Sequence, residues 1–473
     1  MVRNFSRFSN DQHGLALVIF IVVLVLAALG FVANGLSSRV AKLERNKTSV
    51  AALAKAKEAL IAYAVQYSDT HPDNVPGYLP CPDTGSPEGS GASCASKNVS
   101  LLRRLPWREL GIEALRDSSG ECLWYAVSGS FKRAPQTDLM NWDNNGLIEV
   151  LADDGTKLLA GGMPENRAVA AVIAPGPAIG GQNRAKVPGA SECGGNYVAA
   201  NYLETSKGVN NALLSTLANA ISKLIAATES ETFNDKIIFI TPEEIFEPIR
   251  KRKDFRARLE ALTTTIGGCL GGYGKFNGSP VDITDNRLPW PALVNLANFN
   301  TNPSYDDTAA GSRKSGRLPF VVNTSKAATS NQMVGVNLLT NVAFDICPSW
   351  STDDDAWYKN WKDHFFYYVA GSFTPIAPHP TILPCTSCLS VNGAGSYAAV
   401  ILFAGEKRGT RSRNSVVEKG LIGNYLEGRN STSHPNAGGN SDLEISGQAN
   451  DFLLCVDFDP ITHASRAFPC PES

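Results

Sequence analysis

Residues 14 to 33 read GLALVIFIVVLVLAALGFVA, without one charged or strongly polar side chain. About 20 apolar residues are what a helix needs to cross the hydrocarbon of a bilayer, so this run predicts a membrane-spanning segment. It follows a short polar leader, MVRNFSRFSNDQHG, which carries Arg3 and Arg7. A secretory signal has a shorter apolar core and a small-x-small cleavage site. Ala28-Leu29-Gly30 offers such a site, which leaves a cleaved signal as the alternative.

The helical pattern continues beyond the run. Val40, Leu43, Val50, Leu53, Leu60, Ile61 and Ala64 recur at spacings of one helical stripe. Lys57 interrupts it, with a stem long enough to lie along apolar surface. No proline falls between Leu15 and Asp69. One helix from 15 to 67 is therefore expected, roughly 80 Å long at 1.5 Å per residue.

Lys plus Arg is 43 and Asp plus Glu 45, a near-neutral balance that gives no reason to expect a nucleic-acid partner. Basic residues flank the apolar run on both sides, so charge does not set its orientation. The ten cysteines all follow it: Cys81, Cys94, Cys122, Cys193, Cys269, Cys347, Cys385, Cys388, Cys455 and Cys470. An even number in an exported chain reads as disulfides. Locality favours Cys81–Cys94, Cys122–Cys193, Cys269–Cys347 and Cys455–Cys470, with Cys385 and Cys388 left to each other. Cys385-x-x-Cys388 has zinc-like spacing but no second ligand pair.

After residue 67 the chain repeats itself. Arg104-Leu105-Pro106-Trp107 returns as Arg287-Leu288-Pro289-Trp290, and Tyr125-Ala126-Val127-Ser128-Gly129 as Tyr367-Tyr368-Val369-Ala370-Gly371. Ala170-Ala171-Val172-Ile173 matches Ala398-Ala399-Val400-Ile401. Asn201-Tyr202-Leu203-Glu204 matches Asn424-Tyr425-Leu426-Glu427, and Asn234-Asp235 matches Asn450-Asp451. The order is the same in both copies. Each copy offers a helix followed by short β-branched and aromatic strands, an α+β head with a helix on an antiparallel sheet. Thr241-Pro242-Glu243-Glu244 opens the second helix as a capping box. Phe255, Leu259, Leu262 and Ile266 mark its buried face, and Pro248 is a place for a kink. Residues 208 to 227 predict a further helix in the first copy.

Catalytic motifs are missing: no G-x-S-x-G, H-E-x-x-H or P-loop occurs. The chain reads as a non-enzyme without cofactor or metal. Hard-oxygen stretches at Asp143-Asn144-Asn145-Gly146 and Asp353-Asp354-Asp355 could hold calcium, but neither has EF-hand spacing. Residues 249 to 258 form a basic run, read as a solvated face or a patch docking on the first head.

The stretch QHGLALVIFIVVLVLAALG resembles the N-terminus of type IV pilins and pseudopilins. The resemblance implies cleavage by a prepilin peptidase after Gly14 and methylation of Leu15. It further implies a long helix that is half membrane-embedded and half packed on the head. Residues 1–14 would be the leader, 15–67 the helix, 68–240 the first pilin-like head and 241–473 the second. The chain departs from the family at the fifth mature position, where Ile19 replaces the usual Glu. Minor pseudopilins at filament tips share that lack. The expectation is a minor pilin or pseudopilin that initiates or caps a type IV pilus or type II secretion filament, with a second head that contacts a ligand or substrate. Its partners would be other pilins, the peptidase and the bacterial inner membrane. It would cross that membrane once with the head in the periplasm, then move to a filament tip or the cell surface. The alternative is a membrane-anchored envelope protein or enzyme that does not polymerise.

Overall fold

The computed structural model describes residues 43–91, 94–188, 190–275, 286–308, 313–323, 336–340, 346–375, 387–432, 442–445, 450–462 and 464–471. The first helix, α1, covers 43–65, followed by the short α2 (Tyr67–Thr70). This corrects the expected single helix of 15–67. Among the described residues no helix is long and apolar enough to cross a membrane, so a single-pass inner-membrane anchor with a periplasmic head is not supported. The apolar run itself, with Gly14, Leu15 and Ile19, lies outside the described residues.

The buried stripe of α1 keeps Leu53, Leu60 and Ala64 of the expected one and departs from it elsewhere. Ser49, Leu53, Ala56, Leu60 and Ala64 are buried, and so is Tyr67 at the start of α2, whereas Leu43 and Val50 are about 60% exposed. The small residues on this stripe let the helix lie close to the sheet beneath. Lys57 runs along that contact and donates to the carbonyl of Phe239 at 2.8 Å and to Glu244.

Among the described residues the first half contains nine strands. They are β1 (Leu101–Arg104), β2 (Trp124–Val127), β3 (Ile148–Leu151), β4 (Leu158–Ala160), β5 (Ala170–Ala174), β6 (Thr205–Ser206), β7 (Val209–Asn210), β8 (Ser222–Ile225) and β9 (Lys236–Ile240). The main sheet is antiparallel in the order β1-β2-β5-β9. A second sheet, β4-β3-β8, pairs β3 with β8 in parallel. The single antiparallel sheet expected for a head is thus corrected to several sheets. The reason lies in the central strands. All residues of β2 and β5 are buried, so both faces of the sheet need cover. Tyr125, Val127, Ala170 and Val172 join α1 in one cluster. Trp124, Ala126, Ala171 and Ile173 pack with Ile148, Val150 and Leu224 of the small sheet.

The second half opens with α3 (Pro242–Lys251) and α4 (Lys253–Lys275). The Thr241 N–H donates to Glu244 at 2.9 Å, closing the capping box. The break between the helices falls at the extended Arg252, past Pro248. Helix α5 spans Thr352–Trp361. The strands are β10 (Ser315–Arg317), β11 (Val321–Val322), β12 (Val336–Asn337), β13 (Phe365–Val369), β14 (Leu389–Val391), β15 (Ala394–Tyr397), β16 (Ala399–Phe403), β17 (Asp442–Leu443), β18 (Phe452–Phe458) and β19 (Ser465–Pro469). The main sheet is β10-β13-β16-β18-β19, and the small sheet β15-β14-β17 again contains a parallel pair, β14 with β17. Apart from β19, the strand order of the first half recurs.

Hydrogen bonds fix the correspondence better than sequence matching does. Leu79 N donates to Phe131 O, and Leu288 N to Phe373 O, both at 2.7 Å. Tyr125 Oη donates to Pro80 O, and Tyr367 Oη to Pro289 O, both at 3.2 Å. Leu288-Pro289 therefore matches Leu79-Pro80. The counterpart of Arg104-Leu105-Pro106 is Arg317-Leu318-Pro319, whose Leu residues bond to Leu123 and Phe365. Tyr125 pairs with Val172 and Tyr367 with Ile401, so β16 is shifted by one residue from the sequence match. One residue in a strand exchanges its two faces.

Residues 208–227 do not form the expected helix. Asn211 holds Ile225 at both N–H (2.9 Å) and C=O (3.0 Å), drawing that end of the segment into β8. The intervening Leu213 and Leu217 are exposed. A local backbone-bonding asparagine and the parallel partner β3 outweigh helix propensity here.

Disulfides join Cys81–Cys94, Cys122–Cys193, Cys269–Cys347 and Cys455–Cys470, the four pairs favoured by locality. Cys388 is also disulfide-bonded, and Cys385 lies outside the described residues. The Cys81–Cys94 bridge spans 13 residues. Replacing both cysteines with Ser should cost about 3 kcal/mol by loop closure, read as a lower urea midpoint.

Candidate functional site

The two halves share one continuous core, and a buried polar cluster sits where they meet. The turn Asn141-Trp142-Asp143 comes from the first half. Asn141 Nδ2 donates to Asn360 O at 2.8 Å and to Asp363 Oδ1 at 3.1 Å. Trp142 Nε1 donates to His364 Nε2 at 2.9 Å. Asp143 Oδ2 accepts from Arg413 Nη1 at 3.3 Å. From the second half, Lys419 Nζ donates to Asp363 Oδ2 at 2.8 Å, and His364 Nδ1 lies 3.0 Å from Asp363 Oδ1. Aromatic rings enclose the charges: Trp142 lies edge-on to Trp361 at 4.5 Å, and Arg413 stacks over Tyr425 at 4.2 Å.

Asp143, Asp363 and His364 are the one group of three with metal-ligand geometry found among the described residues. The charges argue against an ion. Arg413 and Lys419 already balance the two carboxylates. Two N–H donors, from Trp142 and Arg413, face His364 Nε2. A carboxylate oxygen also faces each ring nitrogen, Asp143 Oδ2 at 3.2 Å from Nε2 and Asp363 Oδ1 at 3.0 Å from Nδ1. Burial would raise both aspartates, but the neighbouring cations outweigh it. Arg413 and His364 hold Asp143 down to about 2, and Lys419 and His364 hold Asp363 well below the usual carboxylate range. The Asp–His contact resembles a catalytic dyad, but His364 is wholly buried and its side-chain partners are Asp363, Trp142, Arg413 and Asp143. No Ser, Cys or Thr stands among them to act as nucleophile. The cluster is a buried joint between the halves.

A second polar feature occurs twice. In the first half Asp235 Oδ2 accepts from Glu204 N (3.0 Å) and Asn211 Nδ2 (2.9 Å), while Asn234 N donates to Glu204 Oε2 (3.1 Å). In the second half Asp451 Oδ2 accepts from Glu427 N (3.4 Å) and Asn430 Nδ2 (3.3 Å), while Asn450 N donates to Glu427 Oε2 (3.3 Å). Burial and then the facing glutamate push both aspartates up, Asp451 to about 7 and Asp235 well above its usual range. Sequence held the signal for these pairs: each member belongs to a repeated motif, Asn-Tyr-Leu-Glu or Asn-Asp. Of the junction cluster the sequence marked only Asp143, as a calcium candidate, since Trp142 and His364 lie 222 residues apart and belong to no repeat.

The calcium candidates have other roles. Asp143 faces Arg413, Asn144 bonds the carbonyl of Leu139, and Asp353 and Asp354 pair with Arg258. Within the basic run, Arg252 reaches the first half, donating to Val65 O at 2.7 Å and Asp69 at 2.8 Å. Comparison with protein-family models, with curated proteins and with solved structures finds no match.

Proposed function

We propose that the chain is a structural subunit of the type IV pilin-like class, a minor pilin or pseudopilin that initiates or caps a filament and displays its double head. The carrying observation is the Gly14-Leu15 junction between a short basic leader and an uninterrupted apolar run. Several features support the reading. The described cysteines are disulfide-bonded, which suits an oxidising compartment. An amphipathic helix covers an antiparallel sheet in each half. The most concentrated set of titratable groups, at the junction, lacks a nucleophile. The partners would be other pilin-like subunits and a prepilin peptidase.

Ile19 bears on position in the filament. A carboxylate at the fifth mature residue is costly in an apolar core unless it meets a cation. In a growing fibre that cation is the terminal amine of the subunit ahead. The first subunit has none ahead of it, so Ile in place of Glu loses no pairing. Mass spectrometry of the mature chain should find N-methylated Leu15. A mature chain that begins at Phe31 or Met1 refutes the proposal. Immunogold labelling of sheared filaments should mark ends; label spread along the shaft rules out a capping role.

A further inference from the structure

The same cleft opens in both halves, and its walls have exchanged chemistry. In the first half it lies between α1 and the ends of β5 and β9, and in the second between α4 and the ends of β16 and β18. The buried positions Leu53, Ala56, Leu60 and Ala64 of α1 recur as Thr263, Ile266, Leu270 and Gly274 of α4, which sets the helices in register at a difference of 210 residues. Ala174 pairs with Lys236 in the first half and Phe403 with Phe452 in the second, so Ala174 corresponds to Phe403 and Lys236 to Phe452. Arg45, Ser49, Ala174 and Lys236 in the first cleft thus become Phe255, Leu259, Phe403 and Phe452 in the second. Trp142 closes the second cleft from the junction turn.

Two of these changes, Ser to Leu and Ala to Phe, enlarge the side chain. Had packing alone governed them, the second cleft should have filled. Instead it measures about 220 Å³ against about 170 Å³ for the first. An open cleft that keeps its shape while its lining turns aromatic suits a bound group, since apolar pockets with a few polar groups at the rim are the usual form of small-ligand sites. The rim carries both signs in closed pairs: Arg250 with Glu406 at 2.8 Å and Arg256 with Glu260 at 2.9 Å. It offers no net charge to hold an anion or a cation. It does offer N–H donors and carboxylate acceptors to the main chain on either side of an inserted ring.

We propose that the cleft of the second half binds a neutral aromatic side chain presented by a partner polypeptide. The site stands independently of the pilin reading, because it rests on the two clefts alone. Small mimics of one side chain should bind weakly, at about millimolar Kd.

The test uses the disulfide-bonded full chain and saturation-transfer NMR with three probes: N-acetyl-phenylalaninamide, N-acetyl-lysinamide and the blocked peptide Gly-Phe-Gly. The phenyl probe and the peptide should show ring-proton transfer, and the lysine probe none. Phe452→Lys, which installs the first cleft's residue at a half-exposed position, should weaken the phenyl signal at least tenfold. Lys236→Phe in the other cleft should leave it unchanged. Near-UV circular dichroism checks that each variant is folded, and Leu259→Ser serves if Phe452→Lys is not. The proposal fails if no probe binds, if the lysine probe binds equally, or if folded Phe452→Lys retains the signal. It also fails if phosphatidylcholine vesicles bind through the cleft while the phenyl probes do not.

Discussion

Arg413→Met should destabilise the protein by about 3–5 kcal/mol, because it strands Asp143 as a buried charge without its partner. Arg413 is 1% exposed, and its Nη1 is shared among Asp143, Gly405 O and His364. Besides Arg413, the His364 ring is the one basic side chain among the described residues that lies against Asp143. The variant Asp143→Asn/Arg413→Met should recover much of the loss, since an ion pair replaced as a unit costs far less than one broken in half. Urea unfolding of the single and double variants gives the coupling. Equal losses in both would mean that Arg413 acts through its stacking on Tyr425 instead. The loss should also separate the halves, as Trp142 and Asp143 belong to one and their partners to the other. A fluorescence change on the Trp142 side should accompany it.

How far the sequence foretold this arrangement varied with the range of the interaction. Local features were legible. The Thr241 capping box and the buried Phe255-Leu259-Leu262-Ile266 face depend on residues a few positions apart. The disulfides at Cys81–Cys94 and Cys455–Cys470 follow from short separations of 13 and 15. The duplication was visible, but its register was not. The motif Arg-Leu-Pro occurs three times, at 104, 287 and 317, and sequence alone paired the wrong two. Only the partners of Leu79 and Leu288 decide it, and those lie 52 and 85 residues away. Small sheets were missed because the parallel pairs β3–β8 and β14–β17 join strands separated by long connections, and strand patterns do not name their partners. Residues 208–227 misled for the same reason: Leu, Ala and Ile at helical spacing lie in a loop anchored by Asn211.

Stability should fall as pH rises from about 4 to 8, by about 4 kcal/mol from Asp451 alone if its shift from 3.8 to about 7 is taken at 1.36 kcal/mol per unit. The sign follows from the direction of the shift. A carboxyl raised in the fold binds its proton more tightly there than in the unfolded chain. Its contribution is complete below the unfolded value and is lost as pH passes through the folded one. Asp451 faces Glu427, Asn430 and Tyr368, and Glu427 is in turn held by Arg411. Asp235 faces Glu204 and Asn211, with Gln182 on Glu204. It moves in the same direction, so each half carries one such acid. Asp143 and Asp363 are shifted the other way. Their contribution is present above about pH 4 and lost as pH falls toward 2. The two sets act in different windows and leave a maximum near pH 4 to 5. Thermal unfolding across pH 3 to 8 measures it. Asp451→Asn keeps a neutral side chain at every pH, so it should flatten the slope between pH 4 and 8 and leave the acid limb intact. An unchanged slope in that variant would mean that Asp451 is ionised in the fold. Because Glu204 and Glu427 are tied to these aspartates through backbone N–H groups, deprotonation should loosen first the segments around Asn211 and Asn430. Amide exchange at Ile225 and Glu444, whose N–H groups bond to those asparagines, should then rise with pH faster than in the Asn variants.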